Sequence, residues 1–381
     1  MTTAFEGIKI LELSTGITGP YLSMMLCDLG AEVVKMEPLD GDVYRNSPGF
    51  VVINRGKKSL KIDLTKKAAH AIFDKLIQQT DILVIDYNSE QNKNLGIKYE
   101  TLMQKYPKLI LCSISSWGEN GPMADKPGSP YLGMAYSGVI ANQANFTPSP
   151  MFITMPFGAF SAAHNGAIGV TAALYYRENT GRGQKVEVVN LPIGGTWGEK
   201  MTQAIRDLTT PYGHAPTYRI YPAKDGWIQI AAGAPAFCGK LFIAMEQELL
   251  VSDPRFANLP WGVLNRDHRK ALEIIIGDWV KQYTRDEVLK ILEQNDVPCA
   301  SVRTVEEFVN HPQVVHLKKV IELDDPNVGK VRQMGPMIEM ATTPASIKGP
   351  SPRLGQNSEE ILRTLGYTPA EITTLRKSAV I

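Results

Sequence analysis

Over its first 115 residues the chain alternates short apolar runs with amphipathic stretches, and that alternation leaves few architectures open. Ile8 to Leu13 reads as a buried strand, Ser14-Thr-Gly-Ile-Thr-Gly-Pro20 as a tight loop, Tyr21 to Leu29 as an amphipathic helix and Glu32 to Glu37 as a second strand. Pro20 suits a first helical turn, where its missing N–H is not needed. Strands are also expected at Asp81 to Ile85 and Leu109 to Ile114, each preceded by a helical pattern, Lys66 to Gln79 and Tyr99 to Tyr106. Ser59 to Leu64 is strand-like as well. Such repetition predicts a mostly parallel sheet covered on both faces.

Farther along, Ala159 to Glu178 is apolar and rich in small residues, and Thr180-Gly-Arg-Gly183 stops it before a strand at Lys185 to Val189. Gly166 and Gly169 on that helix point either to close backbone packing or to a ligand-facing surface. A turn-rich stretch, Thr209 to Pro216, marks a change in composition. Beyond it come a strand at Trp227 to Ala232 and helical patterns at Phe237 to Leu249, Asn265 to Gln282, Arg285 to Gln294 and Val305 to Asn310. A smaller, helix-rich domain is therefore expected over 220–325, inserted into a large α/β domain formed by 1–210 and 330–381. The final helices, Ser358 to Leu365 and Pro369 to Lys377, belong to that return.

The composition narrows function by exclusion. Forty Lys plus Arg against 39 Asp plus Glu give a net charge of +1, which supplies no long-range field for nucleic acid or an anionic membrane. No run reaches the ~18–20 apolar residues that span a bilayer, and Met1 to Lys9 lacks the order of a signal peptide, so a cytoplasmic location is expected. Cys27, Cys112, Cys238 and Cys299 are isolated and read as buried thiols; with no HExxH and no His/Cys cluster, no metal site is expected. Trp117, Trp197, Trp227, Trp261 and Trp279 are too dispersed for a stacking platform.

In an open parallel sheet, ligands bind beyond the carboxyl ends of the strands, here Ser14 to Gly19, Glu37 to Asp42, Asp86 to Asn88 and Ser115 to Gly121. G-I-T-G is not the dinucleotide fingerprint, and no Walker A pattern occurs, which disfavours a dinucleotide-dependent oxidoreductase. Lys57-Lys58 is either a solvated face or a contact for the phosphates of a nucleotide-like cofactor.

The segments Gly7-Ile-Lys-Ile-Leu-Glu-Leu13, Thr18-Gly-Pro20, Gly30-Ala-Glu-Val-Val-Lys-Met-Glu37, Asn54-Arg-Gly-Lys-Lys-Ser59, Thr80-Asp-Ile-Leu-Val84, Tyr106-Pro-Lys-Leu-Ile110, Gly118-Glu-Asn-Gly-Pro122, Arg177-Glu-Asn-Thr-Gly-Arg-Gly-Gln184 and Gly355-Gln356 occur in one order from end to end. In that order the chain resembles the class III CoA-transferases, the formyl-CoA transferase and carnitine CoA-transferase (CaiB/BaiF) family. The resemblance implies an open, Rossmann-like large domain, an inserted small domain and an interlocked dimer. It also implies coenzyme A or acyl-CoA as substrate and an aspartate nucleophile that attacks the thioester. Counting back from Arg177 to Gln184, the slot of that aspartate is Ala159, after Gly158. No Asp or Glu occurs from Asn142 to Arg177. Ser161, His164 and Asn165 are the polar groups early in the helix, and a Ser161/His164 dyad lacks an orienting carboxylate.

The positions that the resemblance assigns to the cofactor are Thr15, Ile17, Lys57, Asp86 and Tyr87, and several depart from the family pattern. Ile17 replaces a glutamine, Pro38 an arginine, and Asp86-Tyr87 an asparagine-aromatic pair, while Asn88 to Asn92 lacks the arginine that follows. Ser129-Pro130 stands where relatives have an aromatic-Asp pair, and Gly355-Gln-Asn-Ser358 replaces G-Q-H-T. An engineered replacement of the nucleophile would leave those other positions intact, so natural loss is favoured. An ionised Asp86 would repel a phosphate, and Lys57 is the best remaining phosphate contact. The resulting expectation is the non-catalytic subunit of a heteromeric, succinyl-CoA-type transferase, with an aromatic dicarboxylate such as benzylsuccinate as one acceptor class and a related chain carrying the aspartate as partner. The alternatives are an active interlocked homodimer whose aspartate was replaced by Ala159, and a scaffold. An α-methylacyl-CoA racemase is disfavoured because it needs a histidine and an aspartate where Ser129 to Met134 and Ala159 supply neither.

Overall fold

The computed structural model describes residues 3–138, 140, 152–190, 215–257, 259–260, 263 and 265–381. These form two compact units, one from residues up to 140, 152–190 and 315–381, the other from 215–314. The first unit is built on six parallel strands, β1 (Lys9–Leu13), β2 (Glu32–Glu37), β3 (Lys58–Lys61), β4 (Ile82–Ile85), β5 (Ile110–Ser115) and β6 (Lys185–Val189), in the order β3-β2-β1-β4-β5-β6. The order in which strands are added across the sheet reverses between β1 and β4, which pair in parallel with Ile10 on Ile82 and Leu13 on Ile85. Its helices are α1 (Thr18–Asp28), the single turn α2 (Phe50–Ile53), α3 (Lys67–Ile77), α4 (Ser89–Asn94), α5 (Tyr99–Lys105), α6 (Pro130–Tyr136) and α7 (Phe157–Thr180), with two more at Ser358–Thr364 and Pro369–Lys377.

The period-two rule divides the strand residues between two cores. Ile10, Val33, Ile82, Val84, Ile110 and Cys112 face α1 and α7, where they meet Leu22, Leu26, Ala162, Ala163 and Val170. Leu11, Leu13, Leu83, Ile85 and Leu111 face the other way, onto Ile72, Phe73 and Leu76 of α3, Leu102 of α5 and Leu362 of the C-terminal segment. The edge strand β3 is closed by that segment: the Ser59 amide donates to Asn357 Oδ1 at 3.1 Å and the Lys61 amide to Ser358 Oγ at 3.1 Å. Unpaired edge amides are thereby removed from solvent.

Helix α1 begins at Thr18, three residues before the expected start, with Pro20 still in its first turn. On α7 the glycines serve packing. A Cβ on Gly166 would lie 2.4 Å from Leu22 Cδ1, and one on Gly169 2.7 Å from Val186 Cγ1. Arg177, in the motif that follows, donates to Asp81 Oδ1 at 2.9 Å and so ties the end of α7 to the start of β4.

The second unit has an antiparallel sheet of β7 (Tyr218–Ala223), β8 (Gly226–Ala231) and β9 (Cys299–Ser301). Helices α8 (Pro235–Ala244), α9 (Arg266–Val280) and α10 (Arg285–Gln294) enclose a core of Tyr221, Ile228, Ile230, Phe242, Leu272 and Leu292. Helix α8 stops five residues short of its expected end because Glu246 turns left-handed, at φ 56°. The hairpin of Val320–Asp325 and Gly329–Met334 groups with the first unit, whereas the sequence placed residues up to 325 in the inserted domain. Three cysteines are buried and Cys299 is half-buried. Trp197, Trp261 and most of the turn-rich stretch at Thr209 to Pro216 lie outside the described residues. Among the described residues no helix is long and apolar enough to cross a membrane.

Candidate functional site

The strand pattern that buries Ile10 and Val33 also buries, on the same face, Glu12 and Lys35 two residues farther along and Glu37 two residues beyond Lys35. The result is a buried charge network at the carboxyl ends of β1 and β2, with Lys57 and Ser59 reaching in from the start of β3. Lys35 Nζ donates to Glu12 Oε1 at 2.8 Å and to Ser14 O at 2.7 Å, and it pairs with Asp42 Oδ2 at 2.9 Å. Lys57 Nζ donates to Glu12 Oε2 at 2.8 Å, Pro20 O at 2.8 Å and Asn54 Oδ1 at 2.9 Å. Ser23 Oγ adds a short hydrogen bond to Glu12 Oε2. Alongside, Glu37 accepts from Arg45 Nη2 at 2.6 Å and from Ser59 Oγ at 2.6 Å.

Two lysines around one carboxylate set the charge states. Burial opposes ionisation of Glu12, but Lys35 and Lys57 together outweigh it and hold the carboxyl at about 2. Burial likewise opposes the Lys35 cation, and Glu12, Asp42 and Glu37 overcome it, so its pKa rises. Burial lowers the Lys57 pKa and Lys35 repels its charge, while Glu12 and, to a smaller extent, Cys27 offset only part of this; its pKa drops to about 8.

At the reversal point between β1 and β4, the loop after β1 meets the end of β4. The Thr15 amide donates to Asp86 Oδ2 at 2.8 Å, and the Gly16 amide donates to Asp42 Oδ1 at 3.2 Å. Asp86 Oδ1 is shut away from solvent and has no hydrogen-bond partner. Burial pushes the Asp86 carboxyl up to about 7, against the pull of the Thr15 amide and Lys35. Burial thus favours the neutral acid more than it would be favoured in an exposed carboxyl, which weakens the expected repulsion of a phosphate.

The structure therefore brings Thr15 and Asp86 together and separates the other assigned positions from them. Lys57 is not offered to a phosphate, because its ammonium is fully buried and its three donors are spent within the protein. Its neighbour Lys58 is half exposed and pairs with Glu360 at 2.7 Å. Ile17 is the residue before α1 and supplies no side-chain cap. Tyr87 turns to the opposite face and packs in the core of α3 and α5.

Ala159 lies fully buried in the first turn of α7, beside Gly158, whose absent Cβ would sit 3.3 Å from Pro130 O of α6. Ser129 caps α6, accepting from the Leu132 amide at 3.2 Å. Ser161 and His164 do not form a dyad: the His164 Nδ1 partner is Phe160 O at 2.7 Å, and the His164 ring sits edge-on to Tyr21. Among the described residues no group of three or more His, Cys, Asp or Glu is arranged to hold a metal.

Sequence along nearly the whole chain, not a single motif, decides kinship. The profile of CoA-transferase family III matches residues 5–358. The chain belongs to CoA-transferase family III. It is 29% identical over 99% of its length to the succinyl-CoA–D-citramalate CoA-transferase of Chloroflexus aurantiacus, covering 98% of that protein. The alpha and beta subunits of the succinyl-CoA–L-malate CoA-transferase of the same organism are 27% and 26% identical, over 99% and 100% of this chain and 92% and 98% of their own lengths. A CaiB/BaiF family protein from Brucella suis superposes with a TM-score of 0.82 at 25% identity, over 96% of this chain and all of that one. This chain carries a charge network of Glu12, Lys35, Asp42, Glu37 and Arg45, of which the sequence placed Glu37 and Asp42 at a strand end but did not mark Glu12, Lys35 or Arg45. The signal was present: Glu12 and Lys35 interrupt the otherwise apolar strands Ile-Leu-Glu-Leu and Val-Val-Lys-Met.

Proposed function

We propose that this CoA-transferase family III chain is the nucleophile-less member of a heteromeric acyl-CoA:carboxylate CoA-transferase, working with a related chain that carries the catalytic aspartate. The observation behind this reading is Ala159, a fully buried methyl group in the slot where the resemblance puts the nucleophile. The described carboxylates nearest the reversal point do not replace it. Glu12 and Asp42 are ion-paired and buried, and Asp86 is bound to the Thr15 amide. A carboxylate attacks a thioester only when ionised and free to approach the carbonyl carbon. That two-subunit transferases occur among the relatives supports the same reading. The first unit, which includes 315–381, would then contribute to acyl-CoA binding, in the cytoplasm. Succinyl-CoA is the donor we favour, and an aromatic dicarboxylate such as benzylsuccinate is an acceptor class to test.

The test is gentle purification from the native host, mass spectrometry of co-eluting chains and a succinyl-CoA transfer assay on the pool. A paralogue with an aspartate aligned to Ala159, together with transfer activity, is the expected result. An isolated homodimer that becomes active on Ala159→Asp would replace this reading with that of a disarmed homodimeric transferase. A homodimer inactive in both forms, without a partner, would leave a scaffold.

A further inference from the structure

The loop after β1 spends its amides on the protein's own carboxylates. In an open α/β sheet, amides at the reversal point, just ahead of the first helix, are donors suited to an anionic group of a bound nucleotide. Here Asp86 holds the Thr15 amide at 2.8 Å and Asp42 holds the Gly16 amide at 3.2 Å. The two carboxylates are not equivalent. Asp42 has the Lys35 ammonium at 2.9 Å and the Tyr44 amide at 2.9 Å. Asp86 has one amide and a second oxygen stranded in the interior. A stranded carboxylate oxygen is costly, and a proton on it removes that cost. We propose that Asp86 is a proton-gated plug of the first loop, which when ionised holds the Thr15 amide and opposes an anionic ligand, and when protonated loosens that hold and admits the anionic part of a CoA-type ligand.

The proposal rests on the reading of the chain as an acyl-CoA-binding subunit. The groups that face Asp86 leave it as the one free to change state. Glu12 of β1, Lys35 of β2 and Asp42 of the loop after β2 act on Asp86 electrostatically, and Asp86 acts in turn on Tyr87, which points to the opposite face, and on Tyr99 of α5. Lys35 is the cation among them and is committed to Glu12, Ser14 O and Asp42. Glu12 stays ionised, and burial pushes both tyrosines well above neutral pH. A neutral acid also accepts the Thr15 amide more weakly than a carboxylate does.

Calorimetric titration of the full chain with coenzyme A, and separately with inorganic pyrophosphate, at pH 6 and pH 8 decides the matter. With Asp86 titrating at about 7, the competent fraction falls about tenfold between those pH values. The wild type should therefore bind about tenfold more tightly at pH 6, with heats that reveal uptake of a proton. Asp86→Asn, neutral at every pH, should bind at pH 8 as the wild type does at pH 6. Affinity that is flat in the wild type, or a pH dependence as steep in Asp86→Asn as in the wild type once the titration of the ligand phosphates is allowed for, overturns the gate. Pyrophosphate binding with this pH dependence but no coenzyme A binding supports the gate and sinks the CoA reading. If neither ligand binds, the gate is overturned.

Discussion

Glu12 is the residue on which the buried network turns, because one carboxylate neutralises two ammonium groups that have no access to water. Removing one member of a buried ion pair leaves the partner charge uncompensated, typically at a cost of about 3–5 kcal/mol. Glu12→Gln should therefore lower unfolding stability by about that much, read as a drop in the urea midpoint. The pH dependence gives a second measurement. Between its ordinary 4.5 and the folded value of about 2, Glu12 binds fewer protons folded than unfolded, so it stabilises the fold above that window. That contribution, about 3 kcal/mol, is lost as pH falls through the window, and Glu12→Gln should flatten the acid limb of the stability curve. Lys57 acts in the alkaline range. Folded, it releases its proton near 8 and unfolded near 10.5, so its burial penalty is relieved and stability rises with pH across that interval.

At the scale of elements, glycines set how closely the pieces of the sheet layer approach. A Cβ on Gly183 would lie 2.1 Å from the carbonyl oxygen of Leu109, which is backbone and cannot rotate away. A Cβ on Gly166 would meet only the end of the Leu22 side chain. Gly183→Ala is expected to cost about 3 kcal/mol and Gly166→Ala about 1 kcal/mol, in the range of overpacking, and thermal unfolding of the two variants would expose the difference. Equal costs would mean that β5 and β6 yield as easily as a leucine rotamer. The same elements indicate what the sequence could and could not tell. Short apolar runs identified β1, β2, β4 and β5, because burial on both faces imposes that pattern, and the glycine stop after α7 marked where β6 begins. The short edge strand β3 and the antiparallel β7 carry weaker patterns; β3 was drawn too long, and β7 was missed beside a turn-rich stretch. At the site, Lys57 looked like a phosphate contact because sequence gives a lysine's position and not its direction. Its direction follows from Glu12 and Asn54, 45 and 3 residues away, which claim its donors. Asp86 was correctly placed at the carboxyl edge, but its charge state depends on burial, which spacing does not encode.

For the molecule as a whole, a near-zero net charge supplies no long-range attraction, so the proposed association with a related chain would draw on apolar surface. Helix α7 supplies such a surface. Its inner face is filled by Ala162, Ala163 and Val170, yet Ile168 is 69% exposed, Tyr175 75% and Tyr176 46%. Residues 168, 172, 175 and 176 fall on one side of the helix, where a small Ala172 flanked by large residues makes a notched ridge. The proposed heteromer gives that ridge an occupant, a related chain. Ile168→Asp with Tyr175→Asp places two charges on the ridge and touches none of the core of the first unit. Such substitutions at solvent-exposed sites change folding stability by about 0.5 kcal/mol or less, while charges in an apolar contact weaken association severely. Native mass spectrometry of the double variant should show the dissociated chain, with a thermal midpoint for the chain close to that of wild type. Retention of the assembly at unchanged concentration dependence would place the subunit contact elsewhere. If the variant unfolded instead, the exposed ridge would have to be part of the fold's own support.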